Sequence, residues 1–94
     1  MAIALTGARI FTGEDFLDGH AVVVEASRIV DVLPEAKTGA AQRRDLGGGL
    51  LAPGFIDVQV NGGGGALLND NPSVETVRTI ATAHRRFGTV GMLP

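Results

Sequence analysis

The chain has 94 residues, a formal net charge of −2 at pH 7 and no cysteine. The lack of cysteine excludes a disulfide framework and a Cys-based zinc site, and the weak negative charge gives no attraction for nucleic acid or for an anionic membrane. The sequence contains neither the pattern of a signal peptide nor an apolar stretch of membrane-spanning length. These features predict a globular protein of the cytoplasm that binds neither nucleic acid nor membranes.

Short strands and turns fill residues 1–52. The strongest strand patterns are residues 20–25 and 28–33, and only Ala26 and Ser27 lie between them, which predicts a two-residue hairpin loop. Weaker strands are predicted at residues 3–6, 9–11, 16–17 and 43–46, with an exposed connection at 34–42 and a flexible glycine joint at 47–49. Short strands at this spacing predict part of a small β-sandwich domain.

A different pattern begins at Pro53. Residues 55–60 form a short apolar run that is rich in β-branched side chains, which predicts a buried strand. Asp57, Gln59 and Asn61 interrupt this run at a spacing of two, so we expect them to lie on one face of the strand. Polar groups on a buried face need hydrogen-bonding partners, a metal ion or a ligand. This stretch is therefore the candidate site.

Residues 62–94 follow this strand with a glycine loop, a helix and a second strand. Four consecutive glycines, beginning with Gly62 and Gly63, would let backbone N–H groups approach a ligand closely. Ser73 is suited to cap a helix that ends near Gly88, and residues 89–93 have the composition of a further strand. Residues 53–94 thus predict one βαβ unit with parallel strands. Side chains at helical spacing define the apolar face of the helix: Val74, Val77, Ile80, Ala81, His84 and Phe87.

The stretch from Pro53 to the fourth glycine, Pro-Gly-Phe-Ile-Asp-Val-Gln-Val-Asn-Gly-Gly-Gly-Gly, resembles the first barrel strand of the amidohydrolase superfamily. It is most similar to the N-acetylglucosamine-6-phosphate deacetylase family, which residues 4–13 and 16–20 also resemble. Most amidohydrolases carry two metal-binding histidines, His-X-His, on this strand. Gln59 and Asn61 stand in those two positions here, which matches a branch of the deacetylases with a single metal ion.

The resemblance implies an α/β fold, namely the start of a TIM-like (β/α)₈ hydrolase barrel preceded by part of a small β-sandwich. A complete barrel takes about 250 residues, so the chain is expected to be the amino-terminal part of a longer enzyme. The implied reaction removes the acetyl group from N-acetylglucosamine 6-phosphate in amino-sugar catabolism. A divalent metal ion, Zn²⁺, would activate water, its ligands and all catalytic residues would lie beyond residue 94, and the complete enzyme would be a homodimer. The 94 residues alone are expected to be inactive.

The site residues expected within the chain are Gln59, Asn61, Gly62 and Gly63, which would bind substrate or water. No metal ligand is expected among them, because neutral amide oxygens bind zinc weakly. Asp57 is expected to make structural hydrogen bonds, and the remaining polar candidates are assigned to structure rather than to chemistry. These are His20, His84 (packed on the helix away from the barrel mouth) and the solvated pairs Arg43-Arg44 and Arg85-Arg86.

Two alternatives remain open at this point. The first is another amidohydrolase, such as a dihydroorotase-like or adenine-deaminase-like enzyme, although those generally carry His-X-His where Gln59 and Asn61 stand. The second is a non-catalytic, β-rich interaction module that exists at this length.

Overall fold

The computed structural model describes residues 1–94 and divides them into two compact units, Met1–Pro53 and Gly54–Pro94. The first unit is made of β-strands and one short 3₁₀ turn, and the second contains the only α-helix. The chain is thus β-rich with one helix. That helix is not long and apolar enough to cross a membrane.

Seven strands build the first unit in two sheets. In chain order they are β1 (Ile3–Thr6), β2 (Arg9–Phe11), β3 (Phe16–Leu17), β4 (His20–Glu25), β5 (Arg28–Pro34), β6 (Gln42–Asp45) and β7 (Leu50–Leu51). The larger sheet has the order β5-β4-β1-β6 and the smaller sheet the order β3-β2-β7. Neighbouring strands are antiparallel except for β6 and β7, which pair in parallel with β1 and β2. The predicted strands are confirmed, with β6 shifted one residue toward the amino terminus and β5 one residue longer than expected, whereas β7 was not predicted.

Strand β4 is buried on both faces and forms the centre of this unit. Ala21 and Val23 pack against Ala4 of β1 on one face, and all three are nearly inaccessible to solvent. Val22 points to the other face, where apolar side chains of both sheets line a cleft of about 360 Å³. The middle of β4, residues 21–24, is an unbroken apolar run, as burial on both faces requires.

The loop between β4 and β5 is the expected two-residue hairpin. Ala26 and Ser27 have φ of 50° and 64°. Positive φ at both central residues is typical of a type I′ turn, whose twist matches that of the flanking strands. Neither residue is glycine or asparagine, so this turn carries a local backbone cost.

The connection expected to be exposed at residues 34–42 is anchored to the sheet. It contains the 3₁₀ turn Glu35–Lys37, and Thr38 behind that turn is buried. Arg43 donates to Thr38 Oγ1 and to the carbonyl of Glu35, and Glu35 Oε1 accepts from the Gly7 amide at 3.1 Å. Arg43 is exposed, as predicted, and its hydrogen bonds give it a structural role that the sequence did not predict.

The three glycines expected to form a flexible joint are instead tied into the first unit by hydrogen bonds. Gly47 N donates to Asp45 Oδ1 at 2.8 Å and Gly48 N donates to Gly7 O at 2.7 Å. Gly49 O accepts from Arg9 N at 3.0 Å, and β7 follows directly. All three glycines have positive φ, which is why this turn is built from glycine.

The second unit is a strand, a hairpin, a helix and a strand. Its elements are β8 (Phe55–Asp57), β9 (Gly62–Gly63), β10 (Ala66–Leu67), α1 (Val74–Arg85) and β11 (Thr89–Met92). Strands β8 and β11 pair in parallel, as a βαβ unit requires. Ser73 caps the helix by accepting from Thr76 N at 3.2 Å, as predicted. Gly88 has the positive φ of a helix-ending residue, two positions after the C-cap Arg86.

The strand predicted as buried over residues 55–60 differs from expectation in two respects. It ends at Asp57, and Phe55 and Ile56 are 66% and 73% exposed. Val60 is the buried residue of this run, although it lies outside the strand. One helix and one neighbouring strand cannot cover both faces of β8, so the apolar composition of the run does not lead to burial within this unit.

Candidate functional site

The candidate site begins where β8 ends. Asp57 O accepts from Leu93 N at 2.8 Å, and the next bond along the pair runs from Val60 N to Leu93 O at 3.0 Å. A regular parallel ladder would use residue 59 for the second bond, so one extra residue is accommodated here, as in a β-bulge. The extra residue interrupts the alternation of side chains after Asp57.

Asp57, Gln59 and Asn61 consequently do not share one face of a buried strand, and that prediction is wrong. The carboxylate of Asp57 folds back and accepts from Gln59 N at 3.0 Å, which starts a turn. This is the structural role expected for Asp57. Gln59 and Asn61 are exposed, so their amides need no buried partner. Each amide presents one acceptor and two donor hydrogens at the carboxyl end of β8.

The four glycines form a β-hairpin. Strand β9 holds Gly62 and Gly63, which pair with Leu67 and Ala66 of β10. The hairpin is closed at its base by a bond from Leu68 N to Asn61 O at 2.9 Å. At its tip, Gly64 and Gly65 have φ of 59° and 79°, the positive values of a type I′ turn.

Glycine is required in β9 by close contacts on both sides. A Cβ at Gly62 would lie 2.6 Å from the carbonyl oxygen of Ala66, inside the hairpin itself. A Cβ at Gly63 would lie 2.9 Å from Nε2 of His84 on helix α1. Strand β9 therefore fits between β10 and the helix only because it has no side chains.

His84 contacts the candidate site directly, which the sequence did not predict. Its Nε2 lies 2.8 Å from the carbonyl oxygen of Gly62. A carbonyl oxygen only accepts, so Nε2 carries the hydrogen and donates it. The expectation that His84 packs on the helix is correct in that the residue is half-buried. Its assignment away from the site is wrong.

A sequence signal for this contact did exist. His84 lies four residues after Ile80, the one fully buried large side chain of the chain, and so shares its face of the helix. An imidazole on a buried face needs a hydrogen-bonding partner. The chain's other histidine, His20, is in the first unit, where Nδ1 lies 2.8 Å from the carbonyl oxygen of Asp18. His20 thus has the structural role expected of it.

The donor atoms at this site do not fit a zinc ion. No group of three or more His, Cys, Asp or Glu side chains is placed to hold a metal. The two exposed amides are weak ligands, the Asp57 carboxylate is bound to Gln59 N, and the His84 imidazole is bound to Gly62 O. The site can offer hydrogen bonds from two amide side chains and from a glycine backbone.

Comparison with known proteins gives this arrangement a context. The family model described as the NagA composite domain matches residues 3–51. An N-acetylglucosamine-6-phosphate deacetylase of Haemophilus influenzae is 37% identical over 95 aligned residues, which cover 100% of this chain and 25% of that protein. An N-acetylgalactosamine-6-phosphate deacetylase of Shewanella sp. (strain ANA-3) is 57% identical over 49 residues, covering 52% of this chain and 12% of that protein.

A solved structure extends the similarity to the whole chain. The crystal structure of N-acetylglucosamine-6-phosphate deacetylase from Pasteurella multocida superposes with a TM-score of 0.91 at 37% identity, covering 100% of this chain and 25% of that one. The chain spans about a quarter or less of the length of these relatives.

The fold and the comparisons together define a β-rich chain with one helix, similar over its whole length to about a quarter of a sugar-phosphate deacetylase. The chain belongs to the NagA composite-domain family. The resemblance to N-acetylglucosamine-6-phosphate deacetylases seen in the sequence is confirmed.

Proposed function

We propose that this chain supplies the amino-terminal part of an amide hydrolase that removes the acetyl group from N-acetylglucosamine 6-phosphate, giving glucosamine 6-phosphate and acetate. The observation that carries the proposal is the similarity over the full chain, at 37% identity and a TM-score of 0.91, to a protein named for this activity. The 94 residues are proposed to lack the catalytic groups and to be inactive by themselves.

In this proposal the second unit is the first βαβ unit of a TIM-like (β/α)₈ barrel, and the first unit is part of a small β-sandwich. Sheets made only of parallel strands are almost always covered on both faces. Phe55 and Ile56 of β8 are largely exposed within this chain, which is consistent with further strands and helices packing there. Barrel enzymes carry their active sites at the carboxyl ends of the strands, where Gln59 and Asn61 follow β8.

The proposed role of Gln59 and Asn61 is to hold the substrate or a water molecule by hydrogen bonds. Gly62 and Gly63 would line the sugar site with backbone alone, leaving room that side chains would fill. Because the donor set at this site does not fit zinc, the Zn²⁺ expected from the resemblance is proposed to be bound by residues outside this chain. A homodimer of the complete enzyme and a cytoplasmic location stay predictions, the first of which can be checked by analytical ultracentrifugation.

A second candidate substrate is N-acetylgalactosamine 6-phosphate. It is favoured by the Shewanella relative, whose 57% identity over 49 residues is the higher local value. The two sugars differ only in the orientation of one hydroxyl group. A hydrogen-bonding site can discriminate between them strongly, because the wrong epimer leaves a polar group without its partner.

The test is acetate release by the complete polypeptide that carries these residues, measured with both sugar phosphates. We expect kcat/KM for the glucosamine compound to exceed that for its epimer by at least about tenfold. The reverse preference would assign the second substrate, and no acetate from either would reject the proposal. The 94-residue chain serves as the negative control, and acetate release by this chain alone would contradict the placement of the catalytic groups.

Two substitutions test the proposed site residues. Gln59→Ala and Asn61→Ala are each expected to lower kcat/KM by about 10-fold to 100-fold, the effect of removing one or two hydrogen bonds to a bound group. Asn69→Ala is the matched control, since Asn69 is an exposed amide outside the site. Unchanged kinetics in both site variants would remove these residues from the proposed site.

A further inference from the structure

Helix α1 reaches the candidate site through a single directed contact. The His84 imidazole is half-buried beside strand β9, and its Nε2–H donates to the carbonyl oxygen of Gly62 at 2.8 Å. A residue needed only to fill this space could be leucine or methionine. An imidazole adds a hydrogen bond whose direction fixes one peptide group of the hairpin.

The backbone at this point needs an external support. Residues 62–65 are all glycine, and glycine has the widest range of backbone conformations of any residue. Two consecutive carbonyl groups are nevertheless fixed, because Asn61 O accepts from Leu68 N at 2.9 Å and Gly62 O accepts from His84. The first bond comes from the hairpin itself and the second comes from the helix.

The fit between the imidazole and the hairpin is also close. A Cβ added at Gly63 would lie 2.9 Å from Nε2 and 3.1 Å from Cδ2 of His84. The ring therefore occupies the space that any side chain at position 63 would need. The His84 ring thus contacts Gly63 and also donates a hydrogen bond to the carbonyl of Gly62. Together these two interactions restrict how far strand β9 can move relative to the helix.

We infer that His84 is a positioning residue: by holding Gly62 O from the helix, it sets the placement of the peptide groups on either side of Gly62 and hence of Asn61. This inference rests on the proposed function, because holding Asn61 in place matters for activity only if the deacetylation reaction uses this site. His84 itself does not contact the substrate in this assignment.

Three variants of the complete polypeptide separate positioning from packing. His84→Gln keeps an N–H donor at about the reach of Nε2, His84→Asn has a donor that is too short, and His84→Leu has none. We expect the Leu and Asn variants to lose about 10-fold to 100-fold in kcat with a smaller change in KM, since misplacement costs alignment of the reacting groups. The Gln variant should recover most of the activity. His20→Leu is the matched control and should remain within about twofold, because His20 makes the same kind of bond to Asp18 O in the other unit.

A spectroscopic measurement tests the contact without any assay. In ¹⁵N NMR spectra, the unsubstituted protein should show the hydrogen of His84 on Nε2, protected from exchange with water. The amide signals of Gly62 and Gly63 should shift in the Leu and Asn variants and return toward their original positions in the Gln variant. Unshifted glycine signals in the Leu and Asn variants would overturn the contact.

The outcomes distinguish this inference from the proposal beneath it. If the unsubstituted polypeptide releases no acetate from either sugar phosphate, the proposed function fails and the positioning role fails with it. If that polypeptide is active and the Leu and Asn variants are equally active, only the positioning role is overturned. Equal losses in the Gln, Asn and Leu variants would indicate packing alone and would also overturn it.

Discussion

The two units of this chain cover their apolar strands in different ways. In the first unit, Ala4, Ala21 and Val23 are buried, and Ala2, Leu33 and Ala41 of the same unit pack against them. In the second unit, one helix lies against a pair of parallel strands, and Ile56 and Val90 are each 73% exposed. The first unit can thus bury a small apolar cluster with its own residues, whereas a parallel pair with one helix leaves a face uncovered.

This difference shows what each unit depends on. The first unit depends on turns that place strands next to one another, and several of those turns use positive φ. The second unit depends on a few contacts of helix α1, with Ile80 as its one fully buried large side chain. Substitutions in the two units should therefore act by different physical causes.

The largest effect is expected from removing the main helix contact. Ile80→Ala should lower the free energy of unfolding by about 2–5 kcal/mol, because Ile80 is 0% exposed. Ile56→Ala should cost much less, since Ile56 is 73% exposed. Urea unfolding followed by circular dichroism at a helical wavelength measures this unit, as α1 is the only α-helix. Equal costs for the two isoleucines would mean that the second unit is not organised around the helix.

A smaller effect is expected from a turn of the first unit. A Cβ at Gly7 would lie 2.0 Å from Asp45 Oδ1, and Asp45 cannot move away without losing its bond to Gly47 N. Gly7→Ala should therefore lie at the upper end of the roughly 1–3 kcal/mol that a strained positive φ costs. Gly19→Ala is the control, because Gly19 has a φ of +66° but open space around it. Calorimetry of the two variants would contradict this reading if both lowered the melting temperature equally.

The contact between α1 and the glycine hairpin can be measured by a double-mutant cycle. Gly63→Ala should be destabilising in the unsubstituted protein, and less so when His84→Ala has already removed the ring that its Cβ would meet. We expect a coupling free energy of about 0.5–3 kcal/mol, the range for residues in contact. Gly65→Ala provides a second cycle with no expected coupling, as nothing lies within 4 Å of its Cβ position. Additive effects of Gly63→Ala and His84→Ala would show that the ring does not restrict the hairpin.

The smallest effect is expected to be stabilising. Replacing Ala26 by asparagine and Ser27 by glycine gives the preferred type I′ turn sequence at two positions that now have positive φ. The double variant should gain less than the roughly 1–2 kcal/mol that one residue in the left-handed region costs, seen as a higher melting temperature of the first unit. A lower melting temperature would mean that the side chains at these two positions stabilise the hairpin in a way that the turn geometry does not reveal.

Local patterns predicted much of the secondary structure. Features that depend on residues close in sequence were predicted correctly. They are the strands at residues 3–6, 9–11 and 20–25, the hairpin at Ala26 and Ser27, and the Ser73 cap. The parallel pairing of β6 with β1 and of β7 with β2 was not predicted. Such pairings join distant segments, and nothing in the pattern of either strand specifies its partner.

The candidate site was only partly predictable for the same reason. The sequence placed Gln59 and Asn61 after a short strand, and the resemblance to the deacetylases drew attention to the four glycines that follow. The sequence placed Gln59 and Asn61 on one buried face, which is wrong. A one-residue irregularity at the end of β8 breaks the alternation of side chains on which that prediction relied. The prediction also left His84 out of the site.

The amino-acid sequence by itself determined most strands of the first unit, the hairpin turn at Ala26 and Ser27, the helix and its cap, since these follow from local periodicity and from backbone preferences. It also carried the resemblance through which the family was recognised. Only the tertiary structure decided that the glycine stretch is a hairpin and that a histidine 22 residues from Gly62 in sequence holds it. The physical reason is that a hydrogen bond between distant segments depends on how the helix packs, and packing is a property of the whole unit.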